Sequence, residues 1–414
     1  MGASILIAEI DIKKYMSDQT LSAGEACQLL GVTPATLYSY VSRGLLRSHS
    51  SDGARSKRYA RDDVLRLAAR RQDGRRAGHV AEQAIDWGRP VLESRITLIE
   101  HGVIRYRGRD ALQLARHATL EETAGILWQT DGADAFAGAA ESAAPAHWPM
   151  LRQALGRRLP LERAMALLAA WPPSPDLTNA QWMRILAAAL LDGAIGSQPL
   201  HVQCRSAWGL APGADAVLRA ALVACADHEL NVSAFTVRCV ASSGAGLPAA
   251  LVAGLAALGG PRHSGETLRV RDLIDTAMAS GDIAGCLRER IAQADQAGFA
   301  SVLPGFGHPL YPEPAGDPRS RLLLELLQAH APRLARLDPP LAIASAGSAL
   351  TGQAPNVDFG LAAIEYAFDL PRGAAQTLFA LGRSAGWIGH AMEQTASGRL
   401  IRPRARYVGS FEAD

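Results

Sequence analysis

Asp227-His228-Glu229-Leu230-Asn231-Val232-Ser233, read on to Gly260-Pro261-Arg262-His263-Ser264-Gly265, carries the densest polar chemistry in the chain. Between the two histidine motifs runs Ala234 to Gly259, in which Arg238 is the sole charge. Small apolar residues fill the rest of that run. Such a pattern predicts a buried helix, broken near Ser242-Ser243-Gly244, and then a second one. A buried helical pair with a polar histidine motif at each end has the character of a site wall. The remaining chain reads as what folds around this wall, with an appended head.

The bulk numbers agree with that picture. A length of 414 residues points to two or three domains. With 48% apolar residues, mostly Ala and Leu, and few aromatics, a mostly helical protein with a large core is expected. The net charge is +2, but it is spread unevenly. Arg43 to Arg76 holds eleven Lys/Arg against four Asp/Glu, so this segment is strongly basic and the rest mildly acidic. An anionic partner for that one segment is implied. The five cysteines are scattered and form no C-x-x-C pair. Disulfides and a zinc site are not expected, and a reducing cytoplasm fits. Neither a signal pattern nor an apolar run long enough to span a membrane is visible.

Four segments emerge: an N-terminal stretch 1–20, a head over 21–75, a polar linker 76–90, and a large helical part 91–414. In the head, Ser22 with Glu25 forms a capping box, and Gly31 stops the helix. Thr33 and Pro34 start a second helix, which ends at Arg43-Gly44. A basic loop, Ser48 to Arg58, reads as a hairpin wing, and a third helix begins at Asp62. The run Ala26 to Tyr38, then Arg43-Gly44-Leu45-Leu46, Lys57-Arg58-Tyr59 and Asp63-Val64-Leu65, resembles a MerR-type winged helix-turn-helix. That resemblance implies DNA contacts from Thr33, Thr36, Tyr38, Ser39 and Arg43, and from Arg55, Lys57 and Arg58 in the wing.

Further on, Ile96 to Asp110 reads as a small hairpin turning at His101-Gly102. Asp110 and the Thr119/Glu122 pair are helix caps. Helix then follows helix. There is neither a glycine-rich phosphate loop nor a dinucleotide fingerprint. Five more polar spots stand in apolar or loop settings: Gly305-Phe306-Gly307-His308, Asp317-Pro318-Arg319, Asn356-Val357-Asp358-Phe359, Arg383 within Ala380 to His390, and Arg402-Pro403-Arg404. Carboxylate, imidazole and guanidinium together suit proton removal next to a carbonyl, enolate stabilisation and dicarboxylate binding.

Taken with Tyr106-Arg107-Gly108, the Asp227 to Asn231 motif, Gly260-Pro261 with His263, and Gly386-Trp387-Ile388 with His390, these pieces resemble the citrate synthase family over about Ser94 to Gly409. The resemblance implies an all-α fold, a large helical domain with a small one over roughly 265–370, and a homodimer. It implies that Asp358 removes the methyl proton of acetyl-CoA, that His263 stabilises the enolate, and that His308 polarises and protonates oxaloacetate. His228, Arg319 and Arg383 would bind oxaloacetate, with Arg402 reaching the partner's site. Leu303, Gly305, Phe306 and Gly307 would border CoA. Acetyl-CoA or propionyl-CoA is a co-substrate, and neither a permanent cofactor nor a metal is required.

Two electrostatic expectations follow. Asp358, near a helix N-terminus, should be held ionised. The charged residues beside His263, Arg262 and Glu266, stand where the family has small or apolar ones, and should alter the imidazole's state. Three functions compete: citrate synthase, 2-methylcitrate synthase, and a DNA-binding regulator whose synthase-like part senses a CoA thioester.

Overall fold

The computed structural model describes residues 20–42, 45–50, 57–68, 92–130, 136, 144–296, 303–330, 334, 336–405 and 407–409. The N-terminal stretch before residue 20, the 76–90 linker, Arg43 and Arg55 lie outside the described residues. The chain divides into two compact units, Met1–Glu93 and Ser94–Asp414.

The first unit opens with β1 (Thr20–Ser22), α1 (Ala23–Leu30) and α2 (Pro34–Ser42). Strands β2 (Ser48–Ser50) and β3 (Lys57–Ala60) follow, and then a helix, α3, over 61–68. Ser22 and Glu25 form the capping box reciprocally, and Gly31 closes α1 in the left-handed conformation. The hairpin wing is present as β2 and β3, paired antiparallel. Strand β1 was not expected; it adds to the other edge of β3 and pairs Leu21 with Tyr59. Arg58 donates to the Thr20 hydroxyl and carbonyl oxygens at 2.9 and 3.1 Å, fastening that edge. Leu21, Ala26, Leu30, Leu37, Leu46, Tyr59 and Val64 make a core of their own.

The second unit begins with a meander: β4 (Thr97–Glu100), β5 (Val103–Tyr106) and β6 (Arg109–Asp110). Both turns have two residues at positive φ, His101-Gly102 and Arg107-Gly108, as tight two-residue hairpins require. The expected hairpin is therefore half of a three-stranded unit. Helices α4 (Ala111–His117) and α5 (Leu120–Trp128) start at the Asp110 cap and the Thr119/Glu122 capping box. Then come α6 (Trp148–Leu155), α7 (Pro160–Ala169), α8 (Asn179–Leu191), α9 (Leu200–Ala207) and α10 (Asp215–Ala224). The apolar run of the opening motif forms α11 (Val232–Ser242) and α12 (Leu247–Leu258). After these lie α13 (Gly265–Ser280), α14 (Ile283–Gln296), α15 (Pro318–His330), α16 (Asp338–Thr351), α17 (Val357–Ala367) and α18 (Ala374–Ser397).

Helix α18 organises this unit. Every residue from Ala374 to Ala391 is buried, so no face is left for solvent. It packs against α5, α8, α10, α11, α12 and α17. Close approach is made possible by glycine: a Cβ on Gly386 would come within 2.3 Å of Asp227 Oδ1. The Gly386 N–H also donates to the Ala226 carbonyl at 2.9 Å. The segment leading to His228 thus lies directly on the α18 backbone. From the other side the meander holds it, through Tyr106 Oη to the Val223 carbonyl (3.0 Å) and the Ile99 N–H to Glu229 Oε1 (3.1 Å). Among the described residues no helix is long and apolar enough to cross a membrane.

Candidate active site

Five of the singled-out side chains sit at helix starts or in the loops before them, and a sixth, Arg383, comes from α18, which passes beneath. His228 lies between α10 and α11, and His263 between α12 and α13. His308 stands in the loop before α15, Arg319 in that helix's first turn, Asp358 in the first turn of α17, and Arg383 in the middle of α18. The His228 and His308 rings meet edge to face, with centroids 5.2 Å apart. Tyr311 closes the cluster. Its hydroxyl is 2.6 Å from His228 Nε2, its ring is 4.8 Å from that of His308, and the Arg319 guanidinium lies 5.4 Å over it. On the far side, Phe379 bridges Arg383 (5.0 Å over the ring) and His263 (5.7 Å between rings).

Each group is oriented by a partner. Asp317 grips Arg319 through both carboxylate oxygens, at 3.0 and 2.7 Å, and also accepts the Val357 N–H at 3.0 Å. Arg383 donates Nε–H to the Cys225 carbonyl at 2.8 Å. His308 Nδ1 accepts the Leu310 N–H at 3.2 Å. A neutral His308 therefore carries its proton on Nε2. His263 Nε2 is 2.9 Å from Ser233 Oγ, which also receives the Trp387 indole N–H at 3.1 Å. Behind the site, Arg238 Nε–H donates to His390 Nδ1 at 2.9 Å, and His390 Nε2 lies 3.2 Å from Asp227 Oδ1.

Among the buried polar atoms without a hydrogen-bond partner are two on the singled-out side chains, Arg383 Nη1 and Asp358 Oδ1. In a low-dielectric interior an unpaired group costs on the order of 1–3 kcal/mol. Orphans of opposite charge character that act on each other point to a ligand that offers an acceptor to the arginine and a proton to the carboxylate.

The electrostatics correct two expectations. Asp358 is not held ionised by its helix. Burial first, and then the Glu266 carboxylate, push its carboxyl up to about 8. Asp358 is half-buried overall, but Oδ1 is enclosed, and loss of water there outweighs the half-charge of a helix end. The sequence neighbours of His263 do not set its state either. Arg262 is exposed, while burial followed by Arg383 and Arg319 brings the imidazole down to about 3. Burial and Arg319 bring His308 to about 4, and His228 falls well below its ordinary value for the same reasons. All three imidazoles are neutral at pH 7.

A family model described as "Citrate synthase, C-terminal domain" matches residues 197–404, half of the chain. The chain belongs to the citrate synthase family. A helix-turn-helix domain matches residues 20–72 ahead of it. Citrate synthase 1 of Mycobacterium tuberculosis is 36% identical over 200 residues, covering 46% of this chain and 45% of the relative. The 2-methylcitrate synthase of Shewanella oneidensis is 29% identical over 224 residues, covering 53% and 56%. The chain thus spans about half the length of the curated relatives it matches. A citrate synthase from Thermoplasma acidophilum, solved with carboxymethyl coenzyme A and oxaloacetate, shares the fold at a TM-score of 0.65 and 21% identity. That match covers 78% of this chain and 95% of that one.

Within the citrate synthase domain, the structure brings His228, His263, His308, Arg319, Arg383 and Asp358 together. Arg402 is exposed on the segment after α18. Leu303, Gly305 and Phe306 are buried and Gly307 half-buried, and the Gly305 and Gly307 N–H groups are engaged by Glu266 and the Ala354 carbonyl. In the helix-turn-helix domain Thr33, Tyr38 and Lys57 are exposed, and Thr36 and Arg58 half-buried. Sequence reasoning passed over Tyr311 and gave no role to Ser233 or Trp387, although both stand in the quoted motifs. Tyr311 sits in a proline-rich loop with no periodicity, and Trp387 was singled out only as part of the Gly386-Trp387-Ile388 motif. The Asn231 N-cap, which fixes the turn bearing Ser233, was the one available signal.

Proposed function

We propose that the protein condenses acetyl-CoA with oxaloacetate and water to give citrate and CoA. The observation that carries this reading is the convergence of three neutral imidazoles, two buried guanidinium groups and one orphaned carboxylate in a single cluster. Asp358 takes a methyl proton from the thioester. The C–H electrons become the enolate double bond, and the enolate oxygen rests on His263. Ser233 has one hydroxyl proton and two acceptors within reach, Asn231 Oδ1 at 2.8 Å and His263 Nε2 at 2.9 Å. In this reading the hydroxyl turns to His263 Nε2 when the enolate forms, which leaves the imidazole proton on Nδ1 to meet that oxygen.

The enolate carbon then attacks the ketone carbon of oxaloacetate. His308 supplies the proton to the ketone oxygen from Nε2, the nitrogen not held by Leu310, and regains one from the water consumed in the hydrolysis that follows. Arg319 and Arg383, with His228, hold the carboxylates of oxaloacetate. Water then cleaves the thioester and releases CoA. In this reading two chains pair, and Arg402 of each completes the other's pocket. Propionyl-CoA in place of acetyl-CoA would give 2-methylcitrate. A single methylene discriminates by only about 1–3 kcal/mol, and likeness to a relative of that name keeps both substrates in view.

The test is release of CoA thiol from acetyl-CoA and from propionyl-CoA, each with oxaloacetate. Turnover with either is expected, and its absence with both overturns the enzyme reading. For the helix-turn-helix domain we infer DNA binding, supported by exposed Thr33 and Tyr38 on and before α2 and by Lys57 in the wing. Fluorescence anisotropy on duplex DNA should show affinity falling steeply with salt, and Lys57→Ala should lower that salt slope by about one. Affinity that ignores salt, or no binding, removes this part.

A further inference from the structure

The site as described uses Asp358 as base and Asp317 as anchor for Arg319. A third carboxylate reaches the same space. Glu266 lies in the first turn of α13, three residues after His263, with its side chain 16% exposed. Oε1 accepts the Gly305 N–H at 3.0 Å, and Oε2 pairs with Arg269 at 2.7 Å.

Gly305 is where three elements meet. Its φ of +82° favours glycine, and a Cβ there would come within 2.6 Å of Val270 on α13 and 3.1 Å of Phe359 on α17. Its carbonyl accepts the Asn356 N–H at 2.8 Å, and Asn356 is the N-cap of the helix that carries Asp358. One N–H therefore ties Glu266 to the turn that is itself stitched to Asp358's helix.

We propose that Glu266 is a positioning residue for the base: a second carboxylate, tied by the Gly305 N–H and Arg269 to the turn that is stitched to Asp358's helix, so that its charge faces Asp358. Two like charges that face each other in a space poor in water oppose each other's ionisation. Burial is the first cause that raises each carboxyl, and Glu266 is the second for Asp358. The charged groups that face Asp358 are Glu266 from α13, Asp317 and Arg319 at the start of α15, and Arg383 from α18. The arginines oppose the effect of the carboxylates. Arg269, half exposed, is screened by solvent and only partly offsets Glu266. In the condensation the α-proton moves to Asp358 and the C–H electron pair to the enolate. A base whose conjugate acid holds its proton more firmly lowers the cost of that transfer.

This inference rests on the reading of Asp358 as the base, but its test does not need turnover. Glu266→Gln keeps an acceptor for the Gly305 N–H and removes the charge. The infrared carbonyl band of protonated Asp358, identified by its loss in Asp358→Asn, is followed against pH in the full chain. In Glu266→Gln its midpoint should move down by about one pH unit. In an active enzyme the acid limb of kcat/KM should move with it, kcat should fall severalfold, and KM for oxaloacetate should stay unchanged. An unmoved midpoint overturns the proposal, whether or not activity is lost. Should Glu266→Gln fail to fold, Arg269→Ala serves instead. Removal of the cation should raise the midpoint, and no shift there overturns the proposal equally. If the parent protein shows no turnover but the midpoint moves, the carboxylate pair stands and the proposed reaction falls.

Discussion

Two aspartates at neighbouring helix starts show how differently one residue type can be used. Asp317 accepts hydrogen bonds from Arg319 N, Nε and Nη2 and from Val357 N. Its charge is fully answered. Asp358 lies at the start of α17, the helix on which that Val357 N–H sits, yet its Oδ1 has no partner and its carboxyl is raised to about 8. Both lie within two residues of a helix start. The difference is the supply of donors, which makes one aspartate a structural clamp and keeps the other reactive.

The comparison breaks most visibly at Asp358. Asp358→Asn should lower turnover by at least about 10²-fold, as expected for loss of a general base, in the thiol-release assay. The same variant should be more stable than the parent. A carboxyl raised from an unfolded value near 4 to about 8 binds a proton in the native state that the unfolded state has lost, so stability drains away as pH rises between those values. Urea unfolding should show an Asp358→Asn advantage that is small at pH 4 and grows to a few kcal/mol by pH 8. An advantage independent of pH would sink the argument.

The opposite sign is expected at Asp317. Asp317→Asn leaves Arg319 buried without its counter-charge, and such breaks cost about 3–5 kcal/mol. Oxaloacetate affinity, read by calorimetry, should weaken as well. A variant as stable as the parent would show that the clamp is not what holds Arg319. The free enzyme's kcat/KM should fall about tenfold per pH unit below about 8, because the base is then protonated. A flat profile from pH 6 to 8 would place the ionisation elsewhere. The smallest effect is expected at Ser233→Ala, which releases the His263 tautomer: kcat down about tenfold, with thermal stability changed by no more than about 1–2 kcal/mol.

Much of this was legible in the chain. The capping residues Ser22, Asp110, Thr119 and Asn356 announce helix starts because a short polar side chain before an apolar run has few other uses. His228, His263, His308, Arg319, Arg383 and Asp358 could be picked out since each is a costly residue in an apolar or loop setting. The charge states could not be read. They depend on which groups meet across helices: Arg383 and Arg319 act on His263 from far along the chain, whereas its sequence neighbour Arg262 faces solvent. Proximity in sequence and helix position were the only guides to the Asp358 charge, and enclosure overruled both.

The carbonyl that fixes Arg383 belongs to Cys225. Its thiol is fully enclosed, and burial pushes its pKa up to about 12. A small alkylating reagent can reach that sulfur only when α18 parts from the end of α10, and until then the thiol is almost wholly unreactive. The rate at which Cys225 is modified is thus a built-in clock for the opening of the pocket floor, readable by mass spectrometry with no substrate present.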